Sequence, residues 1–290
     1  MSTLQAAAPT AWDIGKTTGR NGTGHWRFWD RPLQDLLDAA AQWAEPLRGI
    51  ERPWLCWNMN ERWCLLQQKL VAETGWTPVI GWDPNCGQRP RELVPGAVAI
   101  DFNAPLGLQV FYQHMALEFA FLWAPRLAFW HADVLMPRAK MRAAAARFER
   151  LRDGEMAAVK TYGGLRNILR PKYHRYWEVL GCTTRGASRD QFEQGCGWWR
   201  GFQHHPNAPS DPAERARRDR YYDDHGCGIR YWQRFGGGRV DTIREGWIAQ
   251  EHFSVITVKH YQRAASKAEE MDINFDLPRI TARLGIADLL

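Results

Sequence analysis

Cysteine is scarce in this chain of 290 residues. There are six, Cys56, Cys64, Cys86, Cys182, Cys196 and Cys227, which is too few for a disulfide scaffold and fits free thiols in a reducing compartment. No two stand at the C-x₂₋₄-C spacing of zinc fingers and ribbons, and His225-x-Cys227 is the one close His/Cys pair, so a structural zinc built from Cys182, Cys196, Cys227 and the histidines at 204, 205 and 225 is disfavoured. Long apolar runs are missing too. The most apolar stretch, 116–130, is broken by Glu118, Pro125 and Arg126 and falls short of the roughly 20 residues of a membrane span. Residues 1–10 lack the basic start and apolar run of a secretory signal. There is no internal repeat, and neither the P-loop pattern nor G-x-S-x-G occurs. Gly226 to Gly228 lacks both the third glycine and the preceding strand of a dinucleotide fingerprint. The expected location is the cytoplasm.

What is present is an ordinary globular composition with two biases. A hydrophobic share of 45% is too high for disorder, and the length allows one large domain or two modest ones. The first bias is 16 Trp, beside 8 Tyr and 12 Phe, enough indole to leave some for a use besides core filling. The second is charge. The formal net charge is +6, yet 138–175 alone holds eleven Lys and Arg against Glu149, Asp153 and Glu155, a local excess of +8. Such a run attracts anionic partners such as phosphate, nucleotide or nucleic acid, unless it is simply a solvated helix face.

Periodicity gives the architecture. Residues 31–47, 61–74 and 137–152 carry helical spacing, and 106–123 reads as one long buried helix. Short apolar runs at 53–58, 76–82, 96–102, 126–135 and 155–162 read as strands. Strands alternating with helices predict an α/β fold with a mostly parallel sheet flanked by helices. Beyond 162 the chain turns rich in Gly, Trp, Tyr, His and Arg and reads as irregular, with a short helix at 188–194 capped by Ser188, a basic helix at 213–222, strands at 226–234 and 240–244, and an extended run at 248–260. Ligands of such sheets bind beyond the carboxyl ends of the strands. Those ends carry Asn58 to Asn60, Asp83, Asp101 to Asn103 and His131 to Asp133.

The sharpest motif is Phe129-Trp130-His131-Ala132-Asp133-Val134-Leu135, where an apolar strand delivers His131 and Asp133 at i, i+2 spacing. Imidazole with carboxylate suits Mn²⁺, and carboxylate with phosphate oxygens suits Mg²⁺ or Mn²⁺. The structural alternative is a helix-capping Asp133 and a packed His131. Tyr221-Tyr222-Asp223-Asp224-His225-Gly226 sets two carboxylates and an imidazole in a glycine-flanked turn. Gly195-Cys196-Gly197-Trp198-Trp199-Arg200 is a dense aromatic and glycine segment, with Gln191 and Glu193 just before it. Its indoles could stack on sugar rings or bases and its Arg could clamp phosphate. Trp57, Trp82 and Trp130 lie near strand ends, though core packing accounts for most of the Trp residues.

Architecture and motifs together resemble the GT-A-fold nucleotide-sugar glycosyltransferases, over about 52–260. In that family a strand ends in Asp-x-Asp or a variant with His and holds a metal on the sugar-nucleotide diphosphate; here His replaces the commoner first Asp. The resemblance implies Asp133 as metal ligand, His131 as metal or ribose ligand, and a third ligand from a late histidine, His252 in preference to His260. It implies Asp224, with Asp223 beside it, as general base toward the acceptor hydroxyl, and Asp83 or Asp101 reading base or ribose. Trp57 would line the donor side, Lys160 or Arg166 would assist the departing phosphate, and Trp198, Trp199, Arg200 and His225 would face the acceptor. The implied cofactors are Mn²⁺ or Mg²⁺ and a nucleotide sugar, UDP-linked in preference. The implied organisation is an irregular arm at 1–30, one domain at 31–263 (donor half about 50–162, acceptor half 163–263) and a tail at 264–290. The basic run favours DNA bearing hydroxymethylated bases as acceptor, as in phage-type enzymes working in an infected cell. Three alternatives stand beside this: transfer to a cell-envelope glycan, a glycoside hydrolase using Asp223 and Asp224, and a non-catalytic nucleic-acid-binding protein.

Overall fold

The computed structural model describes residues 10–13, 28–29, 32–82, 88–107, 111–161, 175–199, 201–221, 225–254 and 258–290. Near the start, Thr10–Asp13 (β1) pairs antiparallel with Phe28–Trp29 (β2). The main sheet has seven strands: β3 (Pro53–Trp57), β4 (Thr77–Trp82), β5 (Val98–Asp101), β6 (Arg126–Trp130), β7 (Glu155–Thr161), β8 (Arg175–Thr184) and β9 (Arg239–Arg244), in the order β5-β4-β3-β6-β8-β7-β9. Only β8 runs against its neighbours; β3 is parallel to β4 and β6, β4 to β5, and β7 to β9. This is the expected α/β class with a mostly parallel sheet.

Both faces of the sheet are covered, which explains why β3 is an unbroken apolar run, buried at every position. Its alternate residues feed two cores. Leu55 and Trp57 join Val79 and Phe129 beneath α1 (Leu33–Ala44), α4 (Ala120–Trp123), α6 (Arg185–Glu193) and α8 (Cys227–Phe235). Trp54 and Cys56 join Ile80 and Trp130 beneath α2 (Glu61–Ala72), α5 (Arg138–Glu149) and α10 (Leu277–Leu284). α2 starts where Asn60 caps it, its side chain accepting from the amides of Arg62 and Trp63.

Four expectations are corrected. The single helix at 106–123 is instead α3 (Gln113–Glu118) and α4, broken at Phe119, and the Phe121 amide donates to Ser188 Oγ at 3.1 Å. Ser188 therefore ties two helices together, while Thr184 caps α6. Residues read as a strand at 226–234 form α8, with α7 (Pro212–Tyr221) before it. The long strand β8 lies in the half expected to be irregular. Residues 264–290, read from the sequence as a tail, hold α9 (Lys267–Asn274) and α10, which contribute Met271, Leu277, Ile280 and Leu284 to the second core. Among the described residues, no helix is long and apolar enough to cross a membrane.

Candidate metal centre

The chain runs outward from β3 to β4 and β5, then returns to place β6 on the other side of β3. That reversal of strand order falls at the carboxyl ends of β3 and β6, the position at which ligands of open α/β sheets bind. The residue after β6 is His131, and the turn that follows carries Asp133.

This turn is held from three sides. Gln67 of α2 donates through Nε2 to the carbonyls of His131 (2.7 Å) and Val134 (2.8 Å). Gln113 of α3 donates to the Trp130 carbonyl at 2.9 Å. The segment 251–253 lies antiparallel to 133–135: Leu135 N donates to Glu251 O (3.1 Å), Phe253 N donates to Asp133 O (2.8 Å), and Val134 bridges His252. Lys140 of α5 pins this segment through Glu251 at 2.7 Å. A distant stretch thereby delivers His252, whose Nε2 lies 3.3 Å from Asp133 Oδ1; His131 Nδ1 lies 3.8 Å from the same oxygen. His131, Asp133 and His252 each offer a donor atom within 4.8 Å of the others, in positions partly open to solvent. The geometry thus gathers all three residues named from the sequence as metal ligands; His260 is exposed elsewhere.

A neighbouring group was not anticipated in full. Glu178, near the amino end of β8, is reached by His131 Nε2 at 3.3 Å and by His225 Nε2 at 2.5 Å. His225 stacks on His114 of α3, with ring centroids 4.7 Å apart and 6° between planes. Trp177, partly exposed, stands edge-on to His252 (5.3 Å) and His131 (6.2 Å).

Charge follows from this alternation of imidazole and carboxylate. Burial raises the Asp133 pKa, but the hydrogen bond and charge of His252, with His131, outweigh it and hold the carboxyl below its usual range. Burial likewise opposes ionisation of Glu178, and the charge of His225 with hydrogen bonds from both histidines drives it well below. For His131 burial disfavours the cation, yet the hydrogen bond and charge of Glu178 raise its pKa. The site therefore sets anionic carboxylates beside imidazoles, donor types that a divalent ion takes together. Two imidazoles and one carboxylate suit Mn²⁺ or a borderline first-row ion better than Mg²⁺, which prefers oxygen.

Several other expected site residues are placed elsewhere. Trp57 is core, stacked on Phe102 and Phe111 at 5.7 and 5.9 Å. Trp198 and Trp199 are 1% and 0% exposed and present no platform to an acceptor. Their segment is knit around a buried pair: Glu118 accepts from the Trp198 amide at 2.6 Å and meets His205 at 3.2 Å, and the Trp199 ring packs on His205. Trp130 is buried as well, as are Cys182, Cys196 and Cys227. Among the described residues no cysteine joins a metal-ligand cluster. Asp101 ends β5 at the sheet's edge, where its Oδ1 accepts from the amides of Asn103 and Ala104, both at 3.0 Å. Lys160 lies over the Tyr176 ring, and burial with the nearby Arg230 charge lowers its pKa. Asp83, Arg166, Arg200, Asp223 and Asp224 lie outside the described residues.

Four cations of the basic run are paired within the fold. Arg138 binds Glu73 (2.7 Å) and Asp288 (2.6 Å), Lys140 binds Glu251, Arg147 binds Asp241 (2.6 Å) and Arg152 binds Glu155 (2.7 Å). No protein-family model matches the chain, and no curated protein sequence matches it.

Proposed function

We propose that this protein is a metal-dependent glycosyltransferase that moves a sugar from a nucleotide-sugar donor, UDP-linked in preference, to a hydroxyl acceptor. The observation that carries the reading is the His131–Asp133–His252 group, set at the carboxyl end of β6 where the sheet reverses direction. A donor set of two imidazoles and a carboxylate, partly open to solvent, fits a divalent ion that retains positions for a ligand. Bound there, such an ion would neutralise the negative charge of a diphosphate leaving group.

The chain's own residues supply the rest. Gln67, Gln113 and the 251–253 segment fix the ligands before substrate arrives, so little reorganisation is needed. Trp177, rather than Trp57, Trp198 or Trp199, is the partly exposed indole at the ligands and would stack on the donor's base or sugar. Asp224, directly preceding His225 in the chain, would take the acceptor proton, with Asp223 beside it. Phosphate assistance stays with Lys160 or Arg166. Arg138, Lys140, Arg147 and Arg152 of the basic run each meet a carboxylate of the fold, which leaves less of its charge for a nucleic-acid acceptor. A hydroxymethylated base in DNA remains one acceptor to test, beside glycans.

The test is a screen of nucleotide sugars for hydrolysis and transfer with Mn²⁺, Mg²⁺ or chelator present, against hydroxymethylated DNA and glycan acceptors. Metal-dependent turnover of one donor, lost in Asp133→Ala, is expected. No turnover or stabilisation by any donor would overturn the assignment, and cleavage of a glycoside without metal or nucleotide would point to a hydrolase instead.

A further inference from the structure

The metal group proposed for the donor uses His131, Asp133 and His252, which leaves Glu178, His114 and His225 without a task. Three separate elements bring these together: α3 supplies His114, β8 supplies Glu178, and His225 stands just before α8. Their donor atoms lie within 4.8 Å of one another. An ordinary ion pair between His225 and Glu178 accounts for one carboxylate oxygen, Oε1, which also faces His131. It does not account for the other. Glu178 Oε2 is buried and has no hydrogen-bond partner among the described residues, on a side chain only 8% exposed. A buried carboxylate oxygen left unmatched carries its desolvation cost uncompensated, so its retention calls for a ligand.

We propose that His114, Glu178 and His225 form a second divalent-metal site, suited to Zn²⁺ or a similar borderline ion, next to the first. Two imidazoles and one carboxylate are a donor set that such ions take with a position left open. His131 separates the two sites: its Nδ1 faces Asp133 and its Nε2 faces Glu178. The second group is the deeper, with His114 and Glu178 buried, whereas all three members of the first are partly exposed. A hidden ion so placed would fix the ring of His131 from behind and would be slower to exchange than the outer one. This inference depends only on the ligand geometry and not on the glycosyltransferase reading.

The experiment is a metal stoichiometry on the full chain, stripped with chelator, dialysed, and titrated with Co²⁺ and then Zn²⁺. Co²⁺ absorption and elemental analysis give the equivalents bound. Wild type is expected to hold two per chain. His114→Asn and His225→Ala should each hold one, while Asp133→Ala combined with His252→Ala should also hold one, with the slower release. Circular dichroism and melting establish that each variant is folded. Should His225→Ala not fold, His114→Asn and the isosteric Glu178→Gln carry the same test. A single equivalent in the wild type, or a second equivalent that survives His114→Asn and Glu178→Gln, overturns the proposal. Because the readout is metal bound rather than sugar transferred, two equivalents without transfer would defeat only the functional assignment.

Discussion

Asp133 is held between two histidines, and its charge depends on them. Removing it takes away the one anionic ligand of the outer group and leaves two imidazoles facing each other. Asp133→Ala and His252→Ala are therefore expected to weaken Mn²⁺ binding by about 100-fold or more, since loss of a mere supporting contact already costs about 10–100-fold. Gln67→Ala supplies that comparison, because the Gln67 amide donates to the carbonyls of His131 and Val134 and is not itself in the ligand group. It should weaken Mn²⁺ by roughly 10-fold, and calorimetric titration of the three variants tests the ranking. An equal loss in all three would mean that the turn, rather than the ligands, limits binding. Trp177 gives a separate residue-level prediction. Trp177→Ala should raise KM for the donor, with a loss of about 1–3 kcal/mol of stacking, while metal affinity and kcat stay near wild type. Steady-state kinetics at saturating metal would show it, and an unchanged KM would remove Trp177 from the donor site.

Strand β8 shows what a single residue type does within an element. Gly181 stands where a Cβ would meet Ala157 O and the Phe129 ring, both at 2.5 Å. Two neighbouring strands and a core aromatic therefore close on a bare backbone. Gly181→Ala is expected to destabilise the fold by about 1–3 kcal/mol through overpacking, seen as a lower midpoint in urea with an unchanged slope. The same glycine hid the strand from a reading of the sequence. Glycine inside Arg175–Thr184 reads as a loop, and the start of the strand carries the charged Arg175 and Glu178, the latter buried at the candidate site. By contrast β3, β4 and α2 were legible, because continuous apolar runs and 3.6-residue spacing report burial directly. Helix α8 was misread since Ile229, Tyr231 and Arg230 alternate as a strand would. Its glycines serve contact instead: a Cβ on Gly228 would lie 2.8 Å from the Gly197 backbone. The candidate site was legible to the same degree. His131 and Asp133 share a strand end, so spacing exposed them, whereas His114 and Glu178 are isolated in sequence and only topology joins them. Trp57, Trp198 and Trp199 misled because an indole's place in the sequence does not show which way the ring faces.

Over the whole molecule, charged residues tie the last helices and the outer strand onto the sheet. Arg138 of α5 reaches Glu73 on one side and Asp288 and the Gly285 carbonyl on the other. Lys69 donates to the Leu289 carbonyl at 2.7 Å, and Trp63 is enclosed by Phe253 and Phe275. Arg147 ties α5 to β9 through Asp241. The backing of Phe253 matters to the site, because its amide holds the Asp133 carbonyl and the next residue back is His252. Acid should loosen these ties in a defined direction. The hydrogen bond from Arg147 lowers the Asp241 pKa, and that from Arg138 lowers the Asp288 pKa, both below the ordinary 3.8. A carboxyl whose pKa is lower folded than unfolded binds more protons when unfolded. Its stabilisation is therefore complete above about pH 4 and is lost as pH falls through the folded value. Each pair is exposed, so the contribution is modest and salt-sensitive. The Asp241→Asn, Asp288→Asn double variant should melt below wild type at about pH 6, and the gap should narrow as pH falls below about 4 and the carboxyls of the wild type take up protons. Thermal melts across that range at low salt measure the gap. A gap that persists undiminished at the acid end would mean that these aspartates act through packing rather than through charge.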